Sequence, residues 1–170
     1  MRQIPNFIAS LKLASGFISI IFIVNGDITT ASWFILAAMI FDFLDGFAAR
    51  ALKAYSEIGK ELDSLADLVS FGVAPGLIIY HLLYASLTTD TQIGFSISGF
   101  MSMIFLIIPA IMPVCAALRL AIFNLDTTQT TSFKGLPTPA NALAIISIVL
   151  GGYYSGSSFL DSFMASPISL

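Results

Sequence analysis

Positions 4–24 carry a single charged side chain, Lys12, in a run otherwise built mostly from Ile, Phe, Leu, Ala, Ser and Gly. About 20 mostly apolar residues in helical form match the roughly 30 Å hydrocarbon core of a bilayer, and few other structures accommodate such a run. The pattern recurs at 31–54, 61–84 and 97–123, and a fifth apolar segment begins near 137 and fades near 154. Charged residues make up only 10% of the 170 positions and the mean hydropathy is +0.93, whereas soluble domains carry about a quarter charged residues. The sequence therefore predicts an all-α integral membrane bundle. At least five helices are clear and about six are expected, the tail 155–170 reading as a partial last span, an interfacial piece or the stump of a truncated one. One transmembrane domain is expected over 1–170. The first stretch lacks a convincing small-residue cleavage site and reads as a retained span rather than a signal peptide. Cys115, the only cysteine, lies in an apolar stretch and is expected to be a small core residue. No basic run points to nucleic acid.

The basic residues set the orientation. Arg2, Arg50, Lys53, Lys60, Arg119 and Lys134 all fall at one face of a five-helix alternation, and the loops 25–30, 85–94 and 153–158 contain no Lys or Arg. The positive-inside rule makes that face cytoplasmic. Lys12, about two turns into the first helix, is expected to snorkel to the same side.

Four aspartates break the apolar pattern: Asp42 and Asp45 in the second helix, Asp63 and Asp67 in the third. A charge at a helix centre costs on the order of 2.5–3.5 kcal/mol on the mildest insertion scale. Spacings of three and four residues put each pair on one helix face. The short connection between the helices predicts antiparallel packing, so the two acidic faces can meet. Converging carboxylates repel one another unless cations intervene, and hard divalent ions such as Mg²⁺ or Mn²⁺ favour carboxylate oxygens. Such ions suit phosphoryl chemistry, because they neutralise phosphate oxygens and orient an incoming nucleophile. Small residues lie beside the acids, Gly46, Ala48, Ala49 and Gly59, and permit close helix packing or leave room for a ligand. Arg50, one turn from Gly46, can contact a phosphate. The same acids also suit a cation transport pathway, and residues alone leave that alternative open.

Asp42, Asp45, Gly46, Ala49, Arg50, Gly59, Asp63 and Asp67 together read D-x2-D-G-x2-A-R-x8-G-x3-D-x3-D. This resembles the signature of the CDP-alcohol phosphotransferase family. Ile4-Pro5-Asn6 is similar to the family's amino-terminal start. The runs Glu61 to Asp67, Val69 to Pro75, Leu118 to Ala121 with Phe123-Asn124, and Phe133 to Ala140 resemble its phosphatidylserine synthase branch. The resemblance covers about 4–140 and leaves the tail uncovered.

The resemblance implies a six-helix transmembrane core, usually a homodimer, in the inner (cytoplasmic) membrane, with a site open to the cytoplasm and the bilayer. Asp42, Asp45, Asp63 and Asp67 would hold two divalent cations, Mg²⁺ or Mn²⁺, that grip the diphosphate of CDP-diacylglycerol. Asn6, Gly46, Ala49, Arg50 and Gly59 would line the nucleotide and phosphate site. Asp67 would act as general base on the hydroxyl of L-serine, whose oxygen attacks the lipid-linked phosphorus as CMP leaves. Arg119 and Asn124 are the candidates for holding the serine. Glycerol 3-phosphate or an inositol phosphate is the alternative acceptor, but either brings an extra phosphate and calls for more basic residues. Two positions depart from the branch, which often has asparagine where this chain has Lys12 and arginine where it has Ile122.

Overall fold

The structure is a computed structural model and describes residues 3–54, 56–89, 104, 107–125 and 136–155. Every regular element among them is helical: α1 (Gln3–Val24), α2 (Ile28–Ala51), α3 (Glu57–Asp67), a π-helical segment (Leu68–Val73), α4 (Ala74–Thr89), a 3₁₀ turn (Ile108–Ala110), α5 (Ile111–Leu125) and α6 (Thr138–Ser155). The segments α3, Leu68–Val73 and α4 join into one rod. Four rods, Gln3–Val24, Ile28–Ala51, Glu57–Ala85 and Ile108–Leu125, are long and apolar enough to cross a membrane. The fifth helix, α6, carries polar residues at both ends. A sixth span was expected in 155–170; Ser155 closes α6, and the rest of that segment lies outside the described residues, as do Arg2, Lys134 and residues 90–94 of the loop expected at 85–94.

Two helices start earlier than hydropathy suggests, because polar caps set their ends. Asp27 accepts a hydrogen bond from Thr30 N at 2.9 Å and opens α2, so 28–30 belong to the helix. Ser56 accepts from Gly59 N at 3.0 Å and opens α3 four residues before the expected 61. Gly26, at φ 83°, takes the left-handed turn that reverses the chain between α1 and α2. Lys53 also adopts a left-handed conformation, φ 49°, where α2 ends.

The most extensive packing is that of α1 along α2. The buried face of α1 runs through Pro5, Ala9, Lys12, Gly16, Ser19 and Ile23, alternating steps of four and three. Small and hydroxyl residues there let backbones approach closely. Ser15 Oγ donates to the Phe34 carbonyl at 2.8 Å and Ser19 Oγ to that of Ala31 at 3.0 Å. On the other side, Gly16 faces the π-helical segment, where an added β-carbon would fall 2.9 Å from Ser70 Cα. The core joins Ile28, Ile35 and Ala38 of α2, Phe71, Ile78 and α6 residues Ala142, Ile146 and Val149.

Cys115 is exposed on α5 rather than buried. It lies beside the exposed Ile111, Val114 and Leu118 on the outward face of that helix. In a membrane span an apolar stretch does not imply an inward position, because the surrounding solvent is itself apolar.

Candidate active site

The antiparallel packing of α1 on α2 and its parallel packing on α3 bring Asp42, Asp45, Asp63 and Asp67 together around one side chain. That side chain is Lys12. Its ammonium donates to Asp42 Oδ1 and Asp67 Oδ1, each at 2.8 Å, and to Asp63 Oδ1. Asp45 Oδ2 stands 3.6 Å away. Lys12 is 0% exposed. Its own carbonyl accepts from Ser70 Oγ at 3.2 Å, which ties α1 to the π-helical segment directly after Asp67. Lys12 therefore does not snorkel to the membrane edge. Four inward carboxylates offer the ammonium more than an interface would, and a buried lysine requires such partners.

Asp42, Asp63 and Asp67 each present a carboxylate oxygen within 4.8 Å of the other two, a spacing suited to a shared cation. Asp45 lies beside that group rather than within it. Its Oδ2 is buried and accepts no hydrogen bond among the described residues. An all-oxygen donor set with one buried oxygen left over fits a hard divalent ion of coordination number six or more.

Next to the acids lies a cavity of about 660 Å³. Asp45 and Asp63 form part of its wall, and so do all five residues expected to contact nucleotide or phosphate: Asn6, Gly46, Ala49, Arg50 and Gly59. Arg50 is held by its own helix, with Nε donating to the Gly46 carbonyl at 3.0 Å. Lys60 and Ser56 add polar groups to the same wall. The volume lies within the range of small-molecule sites, and the wall carries the two cationic side chains an anionic ligand needs.

The two residues expected to hold the acceptor lie elsewhere. Neither Arg119 nor Asn124 lines the cavity. Asn124 Nδ2 donates to Ser64 Oγ at 2.9 Å, and its carbonyl accepts from Lys60 Nζ at 3.1 Å. Asn124 thus fastens the end of α5 to the first turns of α3. Arg119 is half-buried on α5 and within electrostatic reach of Asp67. Ile122 is exposed.

Sequence reasoning missed Ser64 and gave Lys12 the wrong surroundings. The spacing did hold a signal for Lys12: it falls on the same helical stripe as Ala9, Gly16 and Ser19, the stripe with the smallest side chains and hence the one that packs inward.

Four membrane-length helices, an interior cluster of carboxylates and an adjoining cavity with cationic walls define an integral membrane protein built to handle a cation beside an anionic ligand. A family model described as CDP-alcohol phosphatidyltransferase matches residues 2–166, and the chain belongs to that family. It is 36% identical over 154 residues to the archaetidylserine synthase of Methanothermobacter thermautotrophicus, covering 89% of this chain and 60% of that one. It is 35% identical over 173 residues to the CDP-diacylglycerol–serine O-phosphatidyltransferase of Mycobacterium leprae, covering 94% of this chain and 53% of that one. The Bacillus subtilis protein of the same name is 34% identical over 146 residues, covering 86% of this chain and 75% of that one. The chain thus spans little more than half the length of the first two relatives.

Proposed function

We propose that this protein transfers the phosphatidyl group of CDP-diacylglycerol to the hydroxyl of L-serine, yielding phosphatidylserine and CMP. The observation that carries the reading is the meeting of the four-aspartate cluster with the cavity walled by Asn6, Gly46, Ala49, Arg50 and Gly59. Serine is the acceptor named for both the archaeal and the bacterial relatives, which differ in the lipid they are named for.

In this reading Arg50 and Lys60 attract the diphosphate of the CDP-lipid into the cavity, and Gly46, with no side chain, and Ala49, with only a methyl group, leave room for the nucleotide. Asp42, Asp63 and Asp67, with Asp45 beside them, would hold divalent metal, which when bound neutralises phosphate oxygens and the leaving group. Asp67 takes the proton from the serine hydroxyl. The freed oxygen forms a bond to the lipid-linked phosphorus, the bond from phosphorus to the CMP oxygen breaks, and CMP departs with that electron pair. Arg119, within electrostatic reach of Asp67, is suited to meet the serine carboxylate. The reading includes a homodimer in the cytoplasmic membrane, with the site at the end of the bundle that gathers Arg50, Lys53 and Lys60.

The test is CMP release by purified protein given CDP-diacylglycerol, Mn²⁺ and one alcohol at a time. Release with L-serine is expected. Release with glycerol 3-phosphate or an inositol phosphate, and none with serine, overturns the acceptor. Metal flux into liposomes without any CMP release would instead identify a cation pathway.

A further inference from the structure

We propose that Lys12 is a tethered cation that competes with divalent metal for the carboxylates of Asp42, Asp63 and Asp67. The inference rests on the reading of the acid cluster as a metal site, and concerns what this chain has placed inside it.

An ammonium group has three hydrogens to donate. Those of Lys12 go to Asp42, Asp63 and Asp67, the three residues whose oxygens lie within 4.8 Å of one another. A divalent ion bound by the same carboxylates sits about 2.0–2.6 Å from its oxygens, inside the space that the Lys12 nitrogen takes at 2.8 Å from two of them. Both cations cannot lie there together. Occupation by one displaces the other.

Asp45 supplies an independent sign that the ammonium is not a complete match for the site. Its side chain is 8% exposed and stands 3.6 Å from Lys12 Nζ, and its Oδ2 lacks a hydrogen-bond partner among the described residues. Lys12 has no fourth hydrogen to give. A divalent ion, with six or more coordination positions, engages a fourth carboxylate that a lysine cannot.

Two consequences follow from the exchange. Without metal, Lys12 offsets part of the repulsion among the acids and holds α1, α2 and α3 together. With metal, Lys12 must leave its carboxylates, so part of the ion's binding energy goes into displacing it and the apparent affinity is weaker than the acids alone would give.

The test is Mn²⁺ titration of the full-length protein in detergent, followed by the electron paramagnetic resonance signal of free Mn²⁺ and by thermal unfolding. Lys12→Met keeps the length and removes the charge; Lys12→Gln is the second neutral variant. Both are purified in Mn²⁺, which replaces the missing charge, and stripped with EDTA before titration. Each is expected to bind Mn²⁺ about tenfold more tightly than the wild type. Each should also unfold at a lower temperature in EDTA, and gain more from added Mn²⁺. Lys12→Arg, which keeps the charge, should bind within about threefold of the wild type. Equal or weaker Mn²⁺ binding in the neutral variants overturns the proposal. So does equal tightening in Lys12→Arg, which would make bulk rather than charge the cause, and so does a lack of Mn²⁺ uptake by every protein. CMP release by the wild type is measured alongside: its absence with every alcohol defeats the enzyme reading alone, whereas equal affinities with normal release defeat the competition alone.

Discussion

Gly59 lies against Asn6 so closely that a β-carbon at position 59 would fall 2.7 Å from the Asn6 Oδ1 atom. The contact sets the spacing between the first turn of α1 and the first turn of α3, and both residues line the cavity. The same β-carbon would stand 2.8 Å from Ser56 Oγ, the cap of α3. Gly59→Ala should therefore destabilise the fold by about 1–3 kcal/mol, the usual cost of overpacking, and impair use of the CDP-lipid. Thermal unfolding and KM for the lipid check this. Asn6→Ala in the Gly59→Ala background should recover part of the lost stability, because it removes one of the two collisions. Unchanged unfolding in Gly59→Ala would show that the helices separate there without strain.

Asp67 combines a contact to Lys12 with a position directly before the π-helical segment. Asp67→Asn retains an oxygen able to accept from Lys12 but is not a base. CMP release should fall by about 10²–10⁴-fold, while the variant still extracts from membranes as a folded protein with a near-normal unfolding temperature. Turnover close to the wild type would remove Asp67 from the role of base.

Asn124 and Ser64 share one hydrogen bond across α5 and α3. Removing either side, by Asn124→Ala or Ser64→Ala, should cost about 1 kcal/mol, and the double variant should cost little more than either single change. Additive losses would mean that each side chain is stabilised by something other than the other. If Asn124 instead held the acceptor, Asn124→Ala alone would raise KM for serine and leave stability unaltered.

Lys53 carries a side chain in a left-handed backbone conformation at the end of α2. Glycine adopts that conformation without steric penalty. Lys53→Gly should stabilise the protein by up to about 1 kcal/mol, part of the gain being offset by the freer unfolded chain. A thermal shift measurement checks it, and a fall in unfolding temperature would show that the Lys53 side chain contributes more than its backbone costs.

The order of spans was legible because membrane-length apolar runs have few alternatives. The early starts of α2 and α3 were less so, since Asp27 and Ser56 look like loop residues until their side chains are seen capping the helices. Asp42, Asp45, Asp63 and Asp67 were legible as a group because helical spacing fixes their faces. Lys12 was legible only in part: its stripe with Ala9, Gly16 and Ser19 marks an inward face, but which groups it meets there depends on which helix lies opposite, and hydropathy does not record that. Asn124 illustrates the same limit: its role turns on Ser64, sixty residues earlier in the chain and adjacent only in the folded bundle.

The π-helical segment Leu68–Val73 inserts a wider coil between the acid-bearing turns of α3 and the apolar length of α4. Each residue of an α-helix turns the chain by about 100°, so a one-residue register change here resets the phase of everything on one side relative to the other. The rod can thereby aim Asp63 and Asp67 at Lys12 while its other half seats Ile78 in the core. Shortening Leu68–Val73 by a single residue would leave both halves helical and swing one of the two faces out of alignment.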